Sequence, residues 1–113
     1  MNYRLQPLRI PIGWTIEYND GLYEIDPDSV ATGEDDELIL FKEDMVQMKH
    51  QRRDRLLDIG WRPSGNVVEG SYWLVVYQGD FRGRLLFEFC TRDRLQLVTV
   101  IERLLEDVSE GRL

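Results

Sequence analysis

The densest run of strand-forming residues is Ser71–Gln78, Ser-Tyr-Trp-Leu-Val-Val-Tyr-Gln. Aromatic and β-branched residues fill both alternating sets, Trp73/Val75/Tyr77 and Tyr72/Leu74/Val76, so neither face is polar and the segment reads as a central strand. Gly79-Asp80-Phe81-Arg82-Gly83 then makes a hairpin loop bounded by glycines, with Phe81 at its tip. In the following strand, Arg84–Cys90, the set Leu85/Phe87/Phe89 is assigned to the core. Leu97, Val98, Ile101, Leu104, Leu105 and Val108 recur at helical spacing and predict an amphipathic helix that covers one sheet face. Asp93 with Gln96 three residues on fits a capping box, Thr91 is the rival cap, and Gly111 suits the stop. Arg103 and Asp107 stand four apart and are expected to pair.

Earlier in the chain the pattern is weaker. Ile10–Ile25 reads as a first hairpin, in which Trp14, Ile16 and Tyr18 alternate with Thr15 and Glu17, Asn19-Asp20-Gly21 turns, and Leu22–Asp26 returns. Asp26–Glu37 is a loop by composition, with Pro27, Gly33 and six carboxylates. Glu37–Phe41 is assigned to a strand. Beyond it, Met45, Val46 and Met48 fit either a hairpin turning at Lys42–Asp44 or a short helix from Glu43 to His50. Leu57, Ile59 and Trp61 at period two make Arg53–Pro63 a strand that Pro63 ends, and a helix over Arg52–Ile59 stopped by Gly60 is the rival. The expected architecture is α+β, a mostly antiparallel meander with the C-terminal helix packed on one face.

At 113 residues the chain is expected to form a single domain, residues 1–113. No run of about 18 apolar residues offers a membrane span, and nothing at the N-terminus has signal-peptide form. With Cys90 the only cysteine, there is no internal disulfide, and the expected location is the cytoplasm. The net charge of −7 is unevenly distributed. Glu17–Asp44 carries eleven acidic residues against Lys42, whereas Lys49–Arg55 carries four bases against Asp54. The acidic surface repels nucleic acid, and it outweighs the prospect that Tyr72, Trp73 and Tyr77 stack bases. It suits a basic protein partner instead.

Candidate chemistry is sparse. His50 is the only histidine, beside Lys49, Arg52 and Arg53, and reads as a solvated surface residue. Cys90 precedes the helix start, where a macrodipole lowers a thiol pKa, but a small buried side chain is the simpler reading. Asp26-x-Asp28 lacks the further ligands of a calcium loop, since Val30 and Ala31 stand where Asp or Asn and Gly are required. The carboxylates of Glu34–Glu37 have no cleft to raise a pKa. No nucleophile elbow, phosphate loop or dinucleotide fingerprint occurs, so neither an enzyme nor a cofactor is expected. Arginine and aromatic residues commonly anchor interfaces, and Trp61, Arg62, Phe81 and Arg82, with the acidic Asp35, Asp36 and Glu37, are the candidate partner-binding residues.

Gly13-Trp14, Glu43-Asp44-Met45-Val46-Gln47, Leu57-Asp58-Ile59-Gly60-Trp61-Arg62-Pro63 and the closing amphipathic helix together make the chain resemble small immunity proteins of bacterial polymorphic-toxin and contact-dependent inhibition systems. The resemblance implies a non-catalytic protein that binds a cognate toxin domain stoichiometrically in the producing cell and blocks its active site. Against a nuclease, the Glu17–Asp44 carboxylates would occupy a cleft built for phosphate. The alternative is an adaptor or regulatory interaction domain without inhibitor activity.

Overall fold

The structure, a computed structural model, describes residues 3–30 and 40–113. Five strands form one antiparallel sheet in sequence order: β1 (Trp14–Asn19), β2 (Val46–His50), β3 (Arg55–Arg62), β4 (Ser71–Gln78) and β5 (Leu85–Thr91). A C-terminal helix, α1 (Arg94–Ser109), completes the α+β fold. β4 lies between β3 and β5, as its two apolar faces require, although β3 is the middle strand.

Register explains the core. Met48, Leu57, Val76 and Phe87 line up across four strands, and Val46, Ile59, Leu74 and Phe89 form the next row on the same face. Against them α1 sets Leu97, Ile101, Leu104, Leu105 and Val108, all buried. Each such side chain stabilises by roughly 2 kcal/mol on burial, which is why the stripe dictates where the helix sits. Trp61 packs edge-on against Tyr72 at 4.9 Å between centroids and tilts against Phe41 at 4.6 Å. At the helix start the Asp93 carboxylate accepts from the Leu95 and Gln96 N–H groups. The reciprocal half of the capping box is rearranged: the Thr91 hydroxyl donates to Gln96 Oε1 and accepts from Asp93 N–H. At the other end, Gly111 takes φ +79°, Gly111 N–H donates to the Val108 carbonyl and Arg112 N–H to that of Asp107, the two bonds of a Schellman motif. Asp107 pairs with Arg112 rather than with Arg103.

The first hairpin is a correction. β1 pairs with β2, far along the chain, and not with Leu22–Asp26. The returning segment instead runs beside the N-terminus, with a Leu5–Tyr23 bridge and bonds from Gln6 N–H to Leu22 O and Glu24 N–H to Arg4 O. Pro27 cuts that segment short, and β2, whose Val46, Met48 and His50 are buried, offers β1 a longer apolar partner. The strand assigned to Glu37–Phe41 falls mostly outside the described residues, and its last two, Leu40 and Phe41, are buried without strand structure. Both open segments resolve as strands: Val46–His50, and Arg55–Arg62 with no helix before Gly60.

The basic cluster at Lys49–Arg55 proves structural. Arg53 donates to the Ser109 carbonyl and Arg55 to that of Leu113, so the turn between β2 and β3 satisfies the C-terminal end of α1, where cations are favoured. Lys49 bonds the Gly79 carbonyl and pairs with Asp54 at 3.3 Å. At the opposite end, Arg92 holds Asp28 at 2.8 Å and Arg94 holds Asp26 at 2.8 Å, which ties the single 3-10 turn Pro27–Ser29 to the start of α1. The described beginning of the acidic loop is therefore neutralised by arginines.

Candidate protein-binding face

α1 covers one side of the sheet, and alternation assigns the other. Gln47, Asp58, Val75 and Glu88 line up in one row across β2–β5, Lys49, Leu56 and Tyr77 in the next, Gly60, Trp73 and Cys90 in a third, and Arg62 with Ser71 at the end. Leu56 and Val75 are 3% and 5% exposed although no helix among the described residues lies over them. Val75 is flanked along β4 by Trp73 and Tyr77 and across strands by Asp58 and Glu88, so aromatic and polar neighbours shield an apolar floor. The Arg62 guanidinium lies over the Trp73 ring, 4.9 Å from its centroid, and the Trp73 Nε1–H donates to Glu88 at 2.8 Å. Phe81 packs edge-on against Tyr77 at 5.6 Å and is 51% exposed.

Charge gathers around this floor. Glu17 sits in a β-bulge of β1 and accepts from Gln47 at 3.0 Å. The segment before β2 joins β3 irregularly, through Trp61 N–H to Lys42 O and Met45 N–H to Ile59 O. Gly60 permits this approach, since a Cβ there would be driven into the Glu43 carbonyl. Glu43 and Asp44 are thereby placed near Asp58. Burial, then the Asp44 and Glu43 charges, push the Asp58 pKa up to about 6, only partly offset by Arg62. No residue among those described donates a hydrogen bond to it.

The candidate residues divide. Arg62 and Phe81 both belong to this face, Arg62 over Trp73 and Phe81 against Tyr77, contact points four residues or about 13 Å apart along β4. Arg82 is exposed on the same hairpin but is bound to Asp80 at 2.9 Å, a local pair on the turn. Trp61 is not available: it is 0% exposed on the helix side, with Nε1 donating to the Asn66 carbonyl at 2.8 Å. Its period-two grouping with Leu57 and Ile59 places it on the core face, which corrects its assignment as a partner-binding residue. Asp35, Asp36 and Glu37 lie outside the described residues. Trp73 and Asp58, which sequence reasoning did not single out for this role, sit at the centre of the face; their signal was their alternation against Leu57, Ile59 and Leu74.

The two reactive side chains also differ from expectation. His50 is 4% exposed, its Nδ1 accepts from Arg53 N–H at 3.1 Å, and its ring meets Trp14 edge-on at 5.3 Å. Burial first, then the Arg53 and Arg52 charges, lower its pKa, so it is a neutral packing residue. Its neighbours in sequence are polar, which hid its place on the buried face of β2. Cys90, conversely, is exposed, and partial desolvation followed by the Glu88 charge raises its pKa. His50 and Cys90 point to opposite sides of the sheet, so they cannot form a nucleophile–base pair. Among the described residues no group of three or more His, Cys, Asp or Glu side chains is placed to hold a metal ion, and no helix is long and apolar enough to cross a membrane. No protein-family model, curated protein or solved structure matches the chain.

Proposed function

We propose that the protein is a non-catalytic binding protein, an immunity protein that neutralises a cognate bacterial toxin by stoichiometric attachment through its helix-free sheet face. The observation that carries this reading is the apolar floor of Leu56 and Val75, ringed by Trp73, Tyr77 and Phe81 and bordered by the carboxylates of Glu17, Glu43, Asp44, Asp58 and Glu88. An aromatic centre with a charged rim is the anatomy of a protein interface. The charge of that rim favours a basic partner, and a nuclease toxin, whose cleft is built for phosphate, has that chemistry. Asp58 supports the same reading, because a carboxylate held at an energetic cost regains stabilisation when a partner's Lys or Arg comes against it.

The test is affinity capture from the host at moderate salt using the tagged protein. A single stoichiometric partner, toxic when expressed alone and released by Trp73→Ala or Asp58→Lys, supports the proposal. Absence of any partner while the toxin region is expressed removes it. An adaptor role is the second reading, favoured by the outer edge of β5, which has no backbone partner among the described residues, and oligomers without a foreign partner would move it ahead.

A further inference from the structure

The sheet has two edges, and they are built differently. β1 is interrupted in its middle by the bulge at Glu17, which leaves no regular run longer than Trp14–Ile16. A bulge with a charged residue is a common way of making an edge unfit for further pairing. β5 is irregular only at Leu86, at its start, and Phe87–Thr91 is a regular run without Lys, Arg or Pro. Among the described residues no backbone group bonds its outer side. Beside that edge, on the helix side, lies an apolar groove of about 410 Å³ lined by Phe87, Phe89, Val100 and Leu104.

We propose that β5 pairs antiparallel with β5 of a second copy of this chain about a two-fold axis through Phe89, which joins the two sheets and closes the two grooves against each other. Register selects the axis. Centring on Phe89 sets Phe87 against Thr91 and Glu88 against Cys90, whereas centring on Glu88 would oppose two carboxylates, which is destabilising. Charge selects a second copy as the occupant. This chain carries −7, so two copies repel over most of their surfaces. The groove rim is the exception: Arg103 has no ion pair among the described residues, and Asp107, one helical turn away, is held by Arg112 through Oδ1 alone, so its second carboxylate oxygen has room for another cation. An isologous contact brings the arginine of each copy toward the aspartate of the other. The seam is about 17 Å long, which places the dimer at the small end of specific interfaces and its dissociation constant in the micromolar range. Both helix-free faces remain open, so the dimer does not depend on the function proposed above.

Sedimentation velocity on the full chain from 2 to 400 µM, with hydrogen exchange at the same concentrations, tests this. The expected result is a monomer–dimer equilibrium in which alternate β5 amides are protected only at high concentration. Cys90, the only cysteine, lies two residues from Cys90 of the other copy across the seam, so a short bismaleimide should link the copies. Arg103→Glu, on the exposed side of α1, should weaken association about tenfold without changing the circular dichroism spectrum. A monomer at 400 µM overturns the proposal. So does a dimer whose β5 amides exchange as in the monomer, and so does β5 protection that arises only when a different protein is added.

Discussion

Replacing Asp58 with Asn should make the protein more stable at neutral pH. The carboxylate stands at the centre of the helix-free face, without a hydrogen-bond donor among the described residues and near Asp44 and Glu43, and its pKa rises from 3.8 to about 6. At about 1.36 kcal/mol per unit, that shift corresponds to at most about 3 kcal/mol. Solvent reaches the group from the open side, and discounting for this leaves about 1–2 kcal/mol. The folded state holds the proton more tightly than the unfolded chain. The stability contributed by Asp58 is thus fully present below pH ~4 and lost as pH rises toward ~6. Asn mimics the protonated acid at every pH. The variant should match the wild type at pH 3.5 and exceed it by 1–2 kcal/mol at pH 7, a shift of roughly 1 M in urea midpoint for m near ~1.5 kcal/mol/M. His50 acts in the opposite sense, since a lowered folded pKa gives stability that is lost as pH falls, but it is common to both proteins and cancels in their difference. Urea titrations of the two proteins from pH 3.5 to 8 measure that difference directly. A pH-independent difference, or a variant less stable at pH 7, would refute the placement of Asp58 in a desolvated, acid-lined site.

Ile101→Asp, at a fully buried position of α1, should give no soluble folded protein, judged by expression and circular dichroism; a folded product would disprove the helix packing. Asp93→Ala removes the acceptor for Leu95 and Gln96 N–H and should cost about 1 kcal/mol by thermal or urea unfolding. Gly60→Ala forces a Cβ against the Glu43 backbone and should destabilise by more than about 2 kcal/mol, whereas a neutral result would mean that the Lys42–Met45 segment yields easily. Trp61→Ala should lose about 3–5 kcal/mol in stability, the signature of a core residue rather than of an interface anchor.

Elements with strong local patterns were legible in the sequence. β4, β5 and α1 each bring their own periodicity and turn chemistry, and Gly111 and Asp93 mark the helix ends as capping rules require. Partners distant in sequence were harder. Nothing local distinguishes Leu22–Asp26 from Val46–His50 as the mate of β1, because alternation specifies a face and not a neighbour. The buried face of β2 was hidden by composition, since Met-Lys-His reads as polar while Met48 and His50 point inward, alternating with the half-buried Gln47 and Lys49. The floor of the candidate site was visible as a second apolar face of β4. That α1 covers the other face was not, because one amphipathic helix can cover either side. Leu85 shows the limit from the other direction: it has the alternation of Phe87 and Phe89 but lies at the strand end beside the bulge and is exposed.

The partition of charge follows from these placements and not from composition alone. Lys49, Arg53 and Arg55 are spent on Gly79, Ser109 and Leu113 carbonyls, and Arg92 and Arg94 on Asp28 and Asp26. Cations that look available in the sequence are thus bound within the fold, while Glu43, Asp44 and Asp58 are brought together by the close approach at Gly60. On the helix-free face the carboxylates of Glu17, Glu43, Asp44, Asp58 and Glu88 outnumber the cations of Lys49 and Arg62. Such a field speeds encounter with a cationic partner and is screened over about 8 Å at physiological ionic strength. A partner bound through this face should therefore show an association rate that falls steeply with added salt, and a dissociation rate that changes little while the aromatic floor remains buried.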